Sequence, residues 1–237
     1  MGNRIIELSF QQFAEELETL NRQDRLRRGS LSASELSRLS RSPEAVEDLP
    51  SRWIECLWCH YQELFKWNPR LSLVGPGTSD EVVRRHYWES LAGLDLLNRE
   101  DRYLVDVGSG GGFPGWVLSA VRPDISVRLV EPREKKWVFL KTTTRKAGLL
   151  SCEVLNARVE VPLPRSLDAS IPIDVITSRA LTLPVDVIDA FFEQYPKLRI
   201  LLWVGKEDVE LPSRAEICRE RKLLGGDHRR IIEVVQP

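Results

Sequence analysis

The sequence lacks any hydrophobic run that approaches the roughly 18 residues needed to span a membrane. Its first residues also lack the basic segment and apolar core of a secretory signal. These absences predict a cytoplasmic protein with no membrane partner. Only 4 cysteines are present, and in that compartment we expect them to be reduced.

An excess of charge of either sign is also missing, since 34 Lys and Arg residues are balanced by 35 Asp and Glu residues. A generally basic surface for nucleic acid is therefore excluded, and any such site must be a local patch. One candidate is the segment 128–146, where seven basic residues accompany two acidic ones. A phosphate-binding surface and an ordinary solvated helix face fit this segment equally well.

The segment CLWCH at residues 56–60 formally matches the attachment sequence of c-type haem. Its apolar residues recur at helical spacing, which favours an amphipathic helix with cysteine on the buried face. The only methionine is Met1, which leaves no methionine placed as an axial ligand. Cys152 and Cys218 stand alone and form no second pair with zinc-ligand spacing. We therefore expect neither haem nor metal.

The first hundred residues show mainly the periodicity of helices. Ser9 is placed to cap a helix over about 10–20, and further helices are predicted at about 51–67 and 79–98. The segment 29–51 is rich in Ser, Arg and Glu and predicts a short polar helix and a connector. We expect residues 1–100 to form an N-terminal helical extension and residues 101–237 to form the main domain.

After residue 100, short apolar runs alternate with helical segments. Strands are predicted at 103–107, 126–130, 152–155, 175–177 and 198–204, and helices at about 132–147 and 184–195. This alternation is typical of an α/β protein with a parallel sheet. Two last strands, near 216–222 and 230–235, flank Gly225-Gly226, which predicts an antiparallel hairpin.

The segment DVGSGGGFPG at residues 106–115 lies where a strand ends and a helix begins. Glycines there allow a tight turn and a close approach of a ligand to the backbone, as at Gly108 and Gly110. The spacing of Gly110, Gly112 and Gly115 satisfies the dinucleotide fingerprint of NAD enzymes formally. Asp106, two residues before the first glycine, favours S-adenosylmethionine (SAM), because a carboxylate complements its ammonium group and repels a pyrophosphate.

Glu131 ends the second predicted strand, 19 residues after Gly112. An acid at about this spacing is placed to hydrogen-bond ribose hydroxyls. Folds that bind NAD and folds that bind SAM share it. It therefore supports a nucleoside ligand without choosing between the two.

Five segments in order resemble the GidB/RsmG family, the bacterial 16S rRNA guanine-N7 methyltransferases. The glycine segment resembles its D-V-G-[ST]-G-x-G-[FL]-P-G, including the Pro-Gly pair. The other four are Trp67-Asn68 with Leu73, the segment 85–90 (RHYWES), the segment 156–160 (NARVE) and the segment 177–180 (TSRA). The similarity runs from about residue 53 to the C-terminus. Ser72, Glu89 and Val130-Glu131-Pro132 depart from the family pattern, which has Asn, Asp and Leu-Asp-Ser there.

The resemblance implies a Rossmann-like, mostly parallel SAM-dependent methyltransferase sheet with an antiparallel C-terminal strand pair and the helical extension. It also implies that SAM is held by the residues of the family motifs. These are Gly108, Phe113, Val159, Glu160 and Arg179. Asp106, Gly110 and Glu131 are added by the chemistry of the glycine segment.

The implied substrate is N7 of a guanine in 16S rRNA, as free RNA or within the 30S particle. N7 carries a free lone pair and no proton, so we name no catalytic base. RNA contacts are expected from two lysines of the basic segment that align with basic positions of the family, from two cations that each follow a strand, and from one histidine of the helix predicted at 79–98. These residues are Lys135, Lys136, Arg158, Lys206 and His86.

Three alternatives remain open at this point. One is a SAM methyltransferase for a different substrate, and another is a non-catalytic SAM- and RNA-binding protein of ribosome assembly. The third, an NAD-dependent oxidoreductase, is disfavoured by Asp106 and by the lack of a convincing catalytic set in the sequence. A monomer is expected, and the sequence assigns no role to residues 1–50.

Overall fold

The computed structural model of the 237-residue chain describes residues 5–29, 48–167, 170, 172–179, 183–207, 209–225 and 228–237. Within them lies one seven-stranded sheet with the order β3-β2-β1-β4-β5-β7-β6. The strands β1 to β5 are parallel, whereas β7 is antiparallel to β5 and β6 is antiparallel to β7. Their bounds are β1 Tyr103–Val107, β2 Ser126–Val130, β3 Cys152–Leu155, β4 Val175–Arg179, β5 Arg199–Val204, β6 Glu216–Lys222 and β7 Arg230–Val235.

Helices precede the sheet and connect its strands. They are α1 Phe10–Gly29, α2 Ser51–Leu71, α3 over 83–96, α4 Gly115–Val121, α5 Glu134–Lys146 and α6 Val185–Gln194. The segment α3 is continuous but irregular, with a π-helical start at Val83–Trp88, an α-helical turn at Glu89–Leu91 and a 3₁₀ end at Ala92–Leu96. Short 3₁₀ turns stand at Pro76–Thr78 and Arg165–Leu167.

The predicted α/β fold with an antiparallel C-terminal pair is confirmed, and the predicted bounds of β1, β2 and β3 match the structure. The helix predicted at 79–98 is the irregular α3. The polar segment predicted at 29–51 falls largely on 30–47, and Gly226 of the hairpin signal falls at 226–227. Both stretches lie outside the described residues. Among those described, no helix is long and apolar enough to cross a bilayer.

Two hydrophobic clusters cover the two faces of the sheet. The first joins side chains of α1 to α5 to one face, with Leu104 and Val127 among its strand residues. The second packs α6 against the opposite face, which includes Val105 and Ile176. Leu104 and Val105 are neighbours on β1, so the alternation expected for a strand divides them between the clusters. Because the early helices share a cluster with the sheet, the division at residue 100 stays a prediction.

Buried ion pairs connect the helix α1 to β6, the strand at one edge of the sheet. Arg221 of β6 is 4% exposed and pairs with Asp24 of α1 and with Asp95 of α3, whose Oδ2 lies 2.7 Å from the guanidinium Nε. Arg28 also reaches Asp95, at 2.9 Å. The start of α1 is held by apolar contact, since the ring of Phe13 packs against Tyr61 of α2 and Tyr87 of α3.

Candidate cofactor site

The site lies where the strand order reverses. β1 stands between β2 and β4, so the chain leaves it toward one side of the sheet and returns on the other. A crevice opens outside the carboxyl ends of the strands at such a switch point. A cavity of about 480 Å³ lies there, within the size range of small-molecule sites.

The loop between β1 and α4 forms one wall of this cavity. Gly108 and Gly110 have φ values of 75° and 55°, a region that residues with side chains rarely adopt. The N–H groups of Gly108 and Ser109 donate to the carbonyl of Val130 at 2.9 and 3.1 Å. These hydrogen bonds hold the loop against the end of β2. Gly108 and Gly110, both predicted to contact the cofactor, line the cavity.

Glu131 lines the cavity directly after β2 and is 4% exposed. Its Oε2 accepts a hydrogen bond from the N–H of Gly110 at 2.9 Å, and its Oε1 accepts one from the N–H of Arg133 at 2.8 Å. The carboxylate is therefore fixed between the glycine loop and the start of α5. The predicted hydrogen bonds to a ribose stay a prediction.

Asp106 lies beneath the loop and does not line the cavity. It is 1% exposed, and its Oδ1 accepts a hydrogen bond from Thr177 Oγ1 at 2.7 Å. The side chain packs against Gly115, and burial raises its pKa to about 6. The carboxyl group is enclosed between β4 and the start of α4, and its predicted contact with a ligand's ammonium group stays a prediction.

Phe113 and His86 meet at the cavity wall, with ring centroids 4.9 Å apart. His86 Nε2 lies 2.8 Å from Thr78 Oγ1. Burial lowers the pKa of His86 well below its ordinary value, and the nearby Arg179 and Arg85 lower it further. The imidazole is therefore neutral at physiological pH.

Beyond β3, Arg158 and Val159 line the cavity, whereas Glu160 is exposed and does not. Two of the predicted contacts in this segment are therefore brought to the cavity by the structure. Glu160 has no place on its wall. The segment after Leu155 is irregular, and of its residues the cavity wall includes Ala157, Arg158 and Val159.

The predicted lysines are divided in the same way. Lys136 lines the cavity, with its Nζ 3.5 Å from the carbonyl of Ser72, and burial lowers its pKa. Lys135 and Lys206 are exposed and do not line it. The basic segment 128–146 is likewise not a single patch, because several of its cations are engaged separately. Arg128 pairs with Glu153, Lys146 pairs with Glu63, and Lys141 lies over the ring of Trp137.

Arg179, at the end of β4, lines the cavity and belongs to a charge cluster that sequence reasoning missed. Its Nη2 donates to Glu89 Oε2 at 2.8 Å and to the carbonyl of Arg85. Glu89 is 1% exposed and also pairs with Arg229, while Arg85 Nε lies 3.6 Å from its Oε1. The cluster therefore holds three guanidinium groups around one buried carboxylate.

The histidine of the CLWCH segment is a packed residue of α2. His60 is fully buried, its Nδ1 lies 2.7 Å from Tyr87 Oη, and its ring contacts Trp116 and Phe113. Burial lowers its pKa to about 3. The helix predicted around this segment is confirmed, and both of its cysteines are free.

Several other cavity residues could not be predicted from the sequence, because nothing distinguishes them from their neighbours. Leu73, Ala157 and Leu183 bring apolar surface, and Arg133 adds a cation beside Glu131. Arg133 belongs to the basic segment 128–146, but its basic neighbours there are equally good candidates. The three apolar residues differ from other apolar residues only in that they follow predicted helices or strands.

The switch point, the glycine loop with positive φ and the acid at the end of β2 define the class. This is a Rossmann-like nucleoside-binding fold, and the predicted fold is confirmed. That the ligand is SAM, as also predicted, follows from the methyltransferase family to which the chain belongs. A crystal structure of MtNAS in complex with MTA and tNA has the same overall fold. It superposes with a TM-score of 0.54 at 15% identity, covering 96% of this chain and 97% of that chain.

The chain belongs to the GidB family, described as rRNA small subunit methyltransferase G, whose model matches residues 54–208. Ribosomal RNA small subunit methyltransferase G of Desulfotalea psychrophila is 39% identical over 150 residues, which are 63% of this chain and 67% of the relative. The protein of the same name from Paracoccus denitrificans is 34% identical over 156 residues, 66% and 77% of the two chains. The family predicted from the five motifs is therefore confirmed.

Proposed function

We propose that this protein transfers the methyl group of SAM to N7 of a guanine in 16S rRNA. The observation that carries the proposal is the cavity at the switch point of a GidB-family chain, walled by Gly108, Gly110 and Glu131. Its volume suits a nucleoside with an amino-acid tail. The remaining predicted cofactor contacts at its wall are Phe113, Val159 and Arg179.

Methyl transfer to N7 requires the protein to position the two reactants and does not require it to transfer a proton. SAM supplies an electrophilic methyl group, and guanine N7 attacks it in line with its lone pair. The base becomes cationic while the sulfonium becomes neutral, so a fixed polar environment suffices. The neutral His86 and the ring of Phe113 offer such a wall without adding a charge beside the base.

We propose that RNA phosphates are held by cations around the mouth of the cavity. Arg158 and Lys136 are at its wall, which supports direct contact with the target nucleotide and its neighbours. Lys135 and Lys206 are exposed and would contact phosphates farther along the RNA. His86 would meet the target base itself.

The decisive experiment offers the purified protein radiolabelled SAM with unmodified 30S particles and, separately, with free 16S rRNA. We expect label in the 16S rRNA, and strand cleavage by borohydride and aniline at one guanine, the reaction of N7-methylguanosine. Label in the particle alone would make the assembled 30S particle the substrate. Label in neither substrate by a protein that binds SAM would favour the non-catalytic assembly role.

A matched pair of variants separates the two ligands. Lys135→Ala, an exposed position outside the cavity, should weaken RNA binding and reduce the salt dependence by about one phosphate contact, with SAM affinity unchanged. Gly108→Arg should abolish SAM binding, because a side chain would occupy the approach to the loop backbone. We further propose that the protein acts as a monomer in the cytoplasm, where ribosomal RNA is found. Analytical ultracentrifugation would test the monomeric state.

A further inference from the structure

The cluster around Glu89 is unusual because it joins the cavity to a part of the chain outside the family match. Arg179 belongs to β4 and lines the cavity, whereas Arg229 lies between β6 and β7, beyond the matched residues 54–208. Both guanidinium groups contact the same oxygen, Oε2 of Glu89. The carboxylate therefore couples the C-terminal hairpin to the wall of the cofactor cavity.

The hydrogen bonds fix the orientation of Arg179. Its Nη2 is used twice, by Glu89 Oε2 and by the carbonyl of Arg85. Its Nη1 is buried and has no hydrogen-bond partner within the described part of the chain. A buried donor without an acceptor costs free energy, so Nη1 is the group that a ligand acceptor would satisfy.

Glu89 itself is held in place from its backbone. The indole of Trp203, on β5, donates to the carbonyl of Glu89 at 2.7 Å, and the same ring packs where Gly93 leaves room. The backbone of Glu89 is thus fixed, and its carboxylate is buried in contact with Arg179 and Arg229. A fixed carboxylate beside a long, flexible guanidinium side chain is the arrangement expected when the first orients the second.

We propose that Glu89 is a positioning residue that orients Arg179 toward the amino-acid portion of the cofactor, and that Arg229 supports it by keeping Glu89 charged. This inference rests on one part of the proposed function, the binding of SAM, and does not depend on the RNA substrate. We assign Arg179 to the cofactor's carboxylate because the residues predicted to hold the nucleoside, Glu131 and Val159, lie on the other side of the cavity, after β2 and β3. The negative end of the ligand is the chemistry that an oriented guanidinium recognises.

The charge state of Glu89 gives the proposal a signature in solution. Burial raises its pKa to about 7, against the opposing effect of Arg179 and then Arg85. The charged groups that face it are Arg84 and Arg85 with Glu81 near α3, Arg179 from β4 and Arg229 from the hairpin. The nearby His86 stays neutral in this range. Above about pH 7 the carboxylate is ionised and holds Arg179, and below it the hold is lost.

The test measures Kd by calorimetry between pH 6 and 8.5 for S-adenosylhomocysteine and for 5′-methylthioadenosine, which lacks the amino-acid portion. Wild-type affinity for S-adenosylhomocysteine should rise with pH through about 7. Glu89→Gln should weaken it on the order of tenfold at pH 8 and remove that rise. The affinity for 5′-methylthioadenosine should be the same in wild type and Glu89→Gln and should not change with pH. The ligand's own amino group titrates in this range too, and it does so equally in wild type and variant.

Two further variants complete the test. Arg229→Met removes a cation from Glu89, so the pH at which affinity rises should move upward, whereas Glu89→Asp should retain a rise. Arg230→Met is the matched control for Arg229, because it pairs with Glu220 away from the cluster. Asp95→Asn is the control for loss of a buried, arginine-paired acid on α3.

Several outcomes would overturn the proposal. Equal loss of affinity for both ligands in Glu89→Gln would mean that Glu89 only maintains the cavity. Tighter binding in that variant would mean that the cluster attracts the ligand by net charge alone. If Glu89→Gln does not fold, the wild-type pH dependence and Arg229→Met decide, and a flat wild-type profile refutes the proposal. A wild-type protein that binds neither ligand would instead contradict the cofactor itself.

Discussion

Gly115 lies against the side chain of Asp106, and a methyl group at this position has no room. An added Cβ would stand 2.3 Å from Asp106 Cβ and 2.7 Å from its Oδ2. Gly115→Ala should therefore destabilise the protein by about 1–3 kcal/mol through overpacking and weaken SAM binding by displacing the loop. Urea unfolding measures the first effect and calorimetry the second. Gly77→Ala is the control, since nothing lies within 4 Å of its added Cβ, and equal stability of both variants would contradict the expectation.

The buried carboxyl group of Asp106 should make stability depend on pH. Its pKa in the folded protein, about 6, exceeds its ordinary value of 3.8, so the folded state binds a proton more tightly than the unfolded chain. This contribution is full below about pH 4 and is lost as pH rises through 6. Asp106→Asn lacks the titration, so its stability relative to wild type should improve by up to about 3 kcal/mol between pH 4 and 8. Urea unfolding across this range would show a constant difference if the carboxyl group did not titrate there.

Single residues were predictable from the sequence where the backbone alone defines their place. Gly108, Gly110 and Glu131 line the cavity because a strand end and the following turn fix their positions. The burial of Asp106 beneath the loop could not be predicted, because the sequence does not show on which side of β1 its side chain lies. The ion pairs of Glu89 could not be predicted, because Arg179 and Arg229 come from segments far from it in the sequence.

At the scale of elements, the strands were the most predictable part. Parallel strands are short apolar runs between turns, and β2 and β3 begin and end as the pattern predicts. The irregularity of α3 could not be predicted from periodicity, because π-helical and 3₁₀ turns carry no distinct apolar spacing. This irregular segment brings His86 to the cavity and Glu89 to Arg179.

The docking of α1 should depend on Arg221. Arg221→Met leaves the carboxyl groups of Asp24 and Asp95 without this buried partner, and unfolding should cost about 3–5 kcal/mol less. Limited proteolysis should cut α1 faster than in wild type. Arg214→Met is the control, because its pairs with Asp189 and Glu193 are well exposed, and it should change stability by less than about 1 kcal/mol. The same loss in both variants would show that burial of the pair is unimportant.

For the whole molecule, the cavity predicts which small molecule stabilises the fold. A ligand at one hundred times its Kd adds about 2.7 kcal/mol, which is about 5–10 °C in Tm for a chain of this size. S-adenosylhomocysteine should produce this shift in a thermal melt, and NAD should produce none. A shift with NAD alone would contradict the cofactor. Gly108→Arg should melt without any response to S-adenosylhomocysteine.

The ion pair between Asp24 and Arg221 joins positions that are 197 residues apart. During translation α1 is therefore made well before its partner strand β6. The apolar residues of α1 and α2 can pack together first, but the ion pair that holds α1 to the sheet edge forms only after β6 has left the ribosome. The growing polypeptide thus carries α1 without this ion pair until β6 is made, and interruption of synthesis before β6 leaves the helix without it.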